Sequence, residues 1–308
     1  MAAPTPLRID FVSDVSCPWC AVGLAALEQA LERLDGTVQA QIHLQPFELN
    51  PHLPAEGEDA TEHLMHKYGI GEAQVQANRQ VIRERAAALG FAFNVGLGSR
   101  VYNTFDAHRL LHWAELQGHH LALKKALLRA YFSDSEDVAA HDVLVRLAGE
   151  AGLDREAARE VLDTGAYAEE VRAQERFFQQ RGIRSVPATI VNGTHLIPGG
   201  QPPEVFEQAL REIAAAAAPD PGLTARTTAS GGGRPRGRST GQARFSFRLL
   251  RSRPRHRAAA GGLGHGSDRK PRRCAAGDSA SARWAFASAN ACVPALRLLP
   301  LRLRQARA

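Results

Sequence analysis

The chain has 308 residues, 44% of them apolar and 6% aromatic, and a formal net charge of +6; that length gives about two domains of ~150 residues and a sizeable, mainly aliphatic core. The charge averages two unlike parts: residues 221–308 hold eighteen Arg and one Lys against two Asp, a net of +17, which leaves −11 on residues 1–220. An acidic body repels phosphate, so nucleic-acid binding is not expected apart from the basic tail, and no run approaches the ~18 apolar residues of a membrane span.

Residues 7–12 alternate and are β-friendly, with Ile9, Phe11 and Val12, and predict a short strand. From Cys17 to about residue 34, Val22, Leu24, Leu27, Leu31 and Leu34 recur at helical spacing, Pro18 falls in the first turn where its missing N–H costs nothing, and Gly36 follows as a stop. Val38, Ala40, Ile42 and Leu44 alternate with polar residues and predict a second strand, completing a βαβ unit. After a loop through Pro46, Pro51 and Gly57, residues 60–180 are expected to be almost wholly helical, and no proline from 64 to 186 forces a break. Strand signals return at 188–191 and 194–197 around an Asn192-Gly193 hairpin turn, and Pro202-Pro203-Glu204 opens a last helix with Val205, Phe206, Ala209, Leu210 and Ile213 on one side. This order predicts an α/β fold: one mixed sheet built from the two ends, 1–50 and 183–219, around a helical insertion over 51–182 whose last helix packs on the sheet.

After residue 219 the periodicity stops. Residues 220–308 are rich in Arg, Ala, Gly, Ser and Pro, and this low-complexity composition predicts a disordered C-terminal tail. An RNA-binding arm and a stretch outside the natural reading frame are the other readings of it. The N-terminal residues lack a charged segment followed by an apolar one, so a cytoplasmic protein is expected. In a reducing compartment a close cysteine pair is more often catalytic or metal-binding than structural.

That pair is Cys17-Pro18-Trp19-Cys20, where a strand feeds a helix. A thiolate at a helix N-terminus meets unpaired N–H groups and the positive end of the dipole, both of which favour the charged form. The dipole supplies at most ~2 kcal/mol, about one and a half pKa units, so a larger shift needs direct N–H bonds to the sulfur. Cys17, at the open end, is expected to attack, and Cys20, one turn in, to be more buried and to resolve the mixed disulfide. Pro18 and Trp19 lie between them and tune the thiolate's surroundings. A zinc half-site would need a second ligand pair; Cys274 and Cys292, with seventeen residues between them in the tail, do not match that spacing, and no metal site is expected. Val186-Pro187, before the late strand, is a place where a cis bond is tolerated.

The segments SDVSCPWC, QPFELNP, NTFDAHRLLHWAELQG, HDVLVRLAGEAGL, VPATIVNG and PGGQPPEVFEQAL, in that order over residues 7–214, resemble the FrnE-like branch of the DsbA thioredoxin family. The resemblance implies a thioredoxin fold with a large all-helical insertion and disulfide oxidoreductase activity at Cys17 and Cys20. Pro187 would be the cis-proline of a substrate groove that includes Val186. The family also holds 2-hydroxychromene-2-carboxylate isomerases and kappa-class glutathione transferases, which typically carry serine in place of the first cysteine, so Cys17 favours the dithiol branch. The expected partner is a thiol or disulfide, in a protein or a small molecule, and the redox-active Cys17–Cys20 disulfide replaces any other cofactor. A glutathione-linked isomerase or transferase, with glutathione as co-substrate, is the alternative, and a binding protein using the apolar cleft is a third reading.

By the same resemblance Asn103, Thr104, Phe105 and His108 lie near the substrate cleft. His108 and His112, four apart, have a spacing that can bind metal but lack the intervening glutamate, and are expected to be partly buried helix histidines. Arg109 is expected in a surface salt bridge, His63, His66, His119 and His120 on the surface, and Asp14 in a loop or capping role or as an influence on Cys17.

Overall fold

The computed structural model describes residues 3–54, 56–96, 98–217 and 299–300. Strand β1 (Thr5–Ser13), helix α1 (Pro18–Arg33) and strand β2 (Val38–Pro46) form the βαβ unit, with β1 and β2 parallel from Thr5↔Val38 to Ser13↔Pro46. Two strands that run the same way need a crossover between them, and α1 is that crossover. The hairpin β5 (Ala188–Val191) and β6 (His195–Pro198) pairs antiparallel to β1 through β5, so the sheet order is β2-β1-β5-β6, with β7 (Leu299–Pro300) beside β6. The expected tail over 220–308 otherwise falls outside the described residues. Thr194, expected in the return strand, belongs to the turn: Asn192 and Gly193 both have positive φ (51° and 69°), and the Thr194 N–H reaches Val191 O at 3.1 Å.

The insertion runs through β3 (Glu58–Asp59), α2 (Ala60–Tyr68), α3 (Glu72–Ala88), β4 (Arg100–Val101), α4 (Phe105–Leu116), α5 (His120–Phe132), α6 (His141–Glu150), α7 (Arg155–Asp163) and α8 (Ala168–Gln180), and helix α9 (Pro203–Ala217) follows the hairpin. The antiparallel pair β3–β4 is a short departure from the all-helical insertion expected over 51–182. Two-residue strands carry no periodic pattern, and this pair is held by its ends: Asp59 caps α2 by accepting the N–H groups of Thr61 and Glu62, and Arg100 donates to the carbonyls of Glu56 and Gly57.

Buried Leu7, Ile9 and Phe11 of β1 share one hydrophobic core with Leu24 and Leu27 of α1, Phe206 and Leu210 of α9, and Leu110, Leu123, Leu127 and Leu144 of the insertion. The insertion therefore has no core separate from the sheet. On the other face Val12, Ala188 and Ile190 pack against Phe178 of α8 and Ile183. β1 is covered on both faces, which fixes the position of its C-terminal end and of the Cys17 turn that follows. Among the described residues no helix is long and apolar enough to cross a membrane.

Candidate active site

Cys17 is the N-cap of α1, in an extended conformation (φ −91°, ψ 113°), and its carbonyl accepts the N–H groups of Cys20 at 3.0 Å and Ala21 at 3.3 Å. Pro18 opens the first turn, where no partner is needed for its nitrogen. Both cysteines are free thiols, and both are buried, Cys17 with 4% of its surface exposed and Cys20 with none. The expectation of an open Cys17 is corrected, because residues of α2 and α3 cover the helix mouth. Between them and the CPWC turn lies an apolar pocket of about 120 Å³, lined by Cys17, Trp19, Leu64, Val75, Ile82 and Val186 among others.

The Val186–Pro187 peptide is cis, and the Cys17 thiol reaches the Val186 carbonyl at 3.8 Å. This loop sits tightly on α1. A Cβ added to Gly23 would lie 3.2 Å from Pro187 Cγ, and one added to Gly200 only 2.8 Å from the Trp19 carbonyl oxygen. The two glycines let the proline loop and the chain after β6 press onto the CPWC turn.

Beneath the turn, Asp14 is fully buried. Its carboxylate accepts the N–H groups of Ser16 (3.2 Å) and Leu49 (2.6 Å) and the Thr104 hydroxyl (2.8 Å), and His108 Nε2 lies 3.5 Å away. Burial alone would raise its pKa; His108 and the bonds from Leu49 and Thr104 outweigh this and hold it at about 2. Burial pushes the Cys20 thiol well above its ordinary value, and the neighbouring Cys17 adds to this, while Lys124 and the Asp14 backbone oppose it. Lys124, on α5, is fully buried, and its Nζ has no hydrogen-bond partner. Burial lowers its pKa against the pull of Cys20, Asp14 and Cys17. Sequence reading missed this lysine. The signal was present: Lys124, Leu127, Leu128 and Tyr131 share one helical face, so the charge lies within the apolar stripe.

None of Asn103, Thr104, Phe105 and His108 lines the pocket beside Cys17. Thr104 and His108 support Asp14 from below. Asn103 bridges the Pro51 carbonyl and the Phe105 N–H, and the Phe105 ring lies 3.8 Å under the Arg172 guanidinium, which also pairs with Glu48 and Glu175. Arg109 corrects its surface assignment: it is 3% exposed and donates to the carbonyls of Val161, Leu162 and Ala166, closing the C-terminal end of α7. His112 is half-buried against the Tyr167 ring. His63, also expected on the surface, is half-buried in the pocket wall and bonded to Asn50 and Glu58, and half-buried His120 bonds to the Ile42 carbonyl. Among the described residues no cluster of three or more His, Cys, Asp or Glu could hold a metal ion.

The model of the DSBA-like thioredoxin domain matches residues 8–211. The chain belongs to that family. A probable DsbA oxidoreductase from Streptomyces coelicolor is 38% identical with a TM-score of 0.65, over 69% of this chain and 92% of that one. A putative protein disulfide isomerase from Nitrosomonas europaea shares the fold at 19% identity and a TM-score of 0.52, over 68% and 98% of the two chains. The uncharacterized protein YwbO of Bacillus subtilis is 28% identical over 207 residues, 67% of this chain and 96% of its own. This DSBA-like chain thus has the thioredoxin fold of an oxidoreductase family, with two thiols at the start of α1.

Proposed function

We propose that the protein is a thiol–disulfide oxidoreductase in which Cys17 forms the mixed disulfide with substrate and Cys20 resolves it, with no metal or organic cofactor. The observation that carries this reading is two free cysteines within the first turn of one helix, the first lining an apolar pocket and touching the Val186 carbonyl. Cys17 reaches substrate in that pocket, while Cys20 has no surface of its own and lies one turn behind Cys17. Val186 and Pro187 form the groove wall along which a substrate backbone would lie. Cys17→Ser should lower insulin reduction by dithiothreitol at least 100-fold, and Cys20→Ala should accumulate the Cys17 mixed disulfide, visible as added mass. Full activity of Cys17→Ser would end this reading.

One observation favours a glutathione-linked isomerase or transferase as the second reading. Arg79 is 4% exposed and lines the same pocket, and one of its guanidinium nitrogens, Nη2, has no partner while Nη1 holds Thr61. A small acidic thiol such as glutathione would place a carboxylate there. Activity that requires glutathione and survives Cys20→Ala would support it over the dithiol mechanism.

A further inference from the structure

Three buried polar atoms with unused bonding capacity surround one small cavity. Ser13 Oγ and Lys124 Nζ have no hydrogen bond, His108 Nε2 has only its 3.5 Å ion contact with Asp14, and all three residues line a space with room for the centre of one water molecule, about 10 Å³. A buried water needs about that much room and two to four polar partners, and three are present. An unpaired buried ammonium is costly, whereas a neutral amine can both accept a proton and hold a water. The same cavity is bounded by His112 and Gln174, each half-buried, so it lies between the interior and the surface. Lys124 feels the charges of Cys20, Cys17 and Asp14 without a hydrogen bond to any of them, and shares the cavity with His108 and His112 of α4.

We propose that Lys124 is the proton acceptor for Cys20, and that a single water held by Ser13, His108 and Lys124 exchanges this proton with solvent past His112 and Gln174. This rests on the dithiol reading above. In the resolving step the neutral Lys124 amine takes the proton of the Cys20 thiol and becomes the ammonium. The Cys20 sulfur attacks Cys17 Sγ; the Cys17–Cys20 bond forms and the bond to the substrate sulfur breaks. The substrate leaves as a thiolate, reduced by the two electrons that the dithiol gives up, and Lys124 returns its proton through the water. In the oxidising direction Cys20 leaves as a thiolate and takes the proton back from Lys124. A cysteine with no exposed surface has no direct route to a solvent base, so the acceptor must be internal.

The test uses the full chain with Cys274 and Cys292 replaced by serine and 5,5′-dithiobis(2-nitrobenzoate) as the disulfide probe. Stopped-flow absorbance separates the first thionitrobenzoate released by Cys17 from the second released when Cys20 resolves. In the parent the second phase should level off at a pH below the ordinary lysine value of about 10.4, because burial lowers the Lys124 pKa. In Lys124→Met, which replaces a buried charge by an apolar chain of similar length, the second phase should fall about 100-fold at pH 7 and keep climbing tenfold per pH unit, with the first phase changed less than threefold. A parent second phase that still climbs tenfold per unit at the ordinary lysine value of about 10.4 overturns the proposal without any variant. So does a Lys124→Met protein that keeps the parent's second-phase rate and profile, or one that loses both phases in proportion. Absence of the first phase in a Cys20→Ala chain would instead remove the dithiol reading, and this proposal with it.

Discussion

Asp14 shows how a short side chain can tie a turn to the rest of a protein. It joins the CPWC turn, the loop at Leu49 and helix α4, segments far apart in the chain, through one buried carboxylate. Its folded pKa of about 2 lies below the ordinary 3.8. The ionised group therefore stabilises the fold at every pH above 3.8, and the contribution drains away as the pH falls through that value towards 2. The shift corresponds to about 2 kcal/mol. Asp14→Asn should lose about that much stability in urea unfolding at pH 7, and the gap between variant and parent should shrink below pH 4 and close near pH 2. An equal loss at pH 3 and pH 7 would mean that the carboxylate's charge is not what matters.

At the scale of elements, the helices of the insertion are held by side chains that act as caps. Arg109 reaches from α4 to three carbonyls at and after the end of α7, and is itself steadied by Asp106. Carbonyls at a helix C-terminus have no intrahelical partners, and leaving buried ones unsatisfied costs roughly 1–3 kcal/mol each. Arg109→Ala should lower stability by about 3 kcal/mol, with amide hydrogen exchange accelerated first in α7. Loss spread evenly over every helix would argue against a capping role. The sequence could not reveal this bond, because an arginine beside Asp106 has the same local pattern whether it faces solvent or the end of another helix. The strand β1, helix α1 and the Asn192-Gly193 hairpin were legible for the opposite reason: their signals lie within a few residues of one another. The pair β3–β4 was not, since its two halves are some forty residues apart and too short to alternate.

For the whole molecule, the site itself was half legible. Cys17, Cys20 and Pro187 are marked by local spacing and by an X-Pro bond before a strand. The Asp14–Thr104–His108 cluster and Lys124 are brought in by packing of α4 and α5 against the sheet, which leaves no local mark except a lysine in an apolar stripe. Charge, by contrast, is fully written in the sequence. With −11 on residues 1–220 and +17 beyond them, a chain ending at residue 218 should bind an anion exchanger at pH 7, where the full chain binds a cation exchanger. Because the family match ends at residue 211 and α9 ends at Ala217, that shorter chain should keep the reactivity of Cys17 within twofold. A large loss would mean that the basic segment contributes to the thiol site.

The bond between the Cys17 thiol and the Val186 carbonyl spans 169 residues of sequence. During synthesis at about 5–20 residues per second, the Cys17 thiol emerges roughly 10–30 s before the carbonyl it bonds to. For that interval the sulfur is attached to a growing chain with no proline loop beside it, open to any oxidant it meets. The thiol is thus most open to oxidation before the fold that buries it is complete.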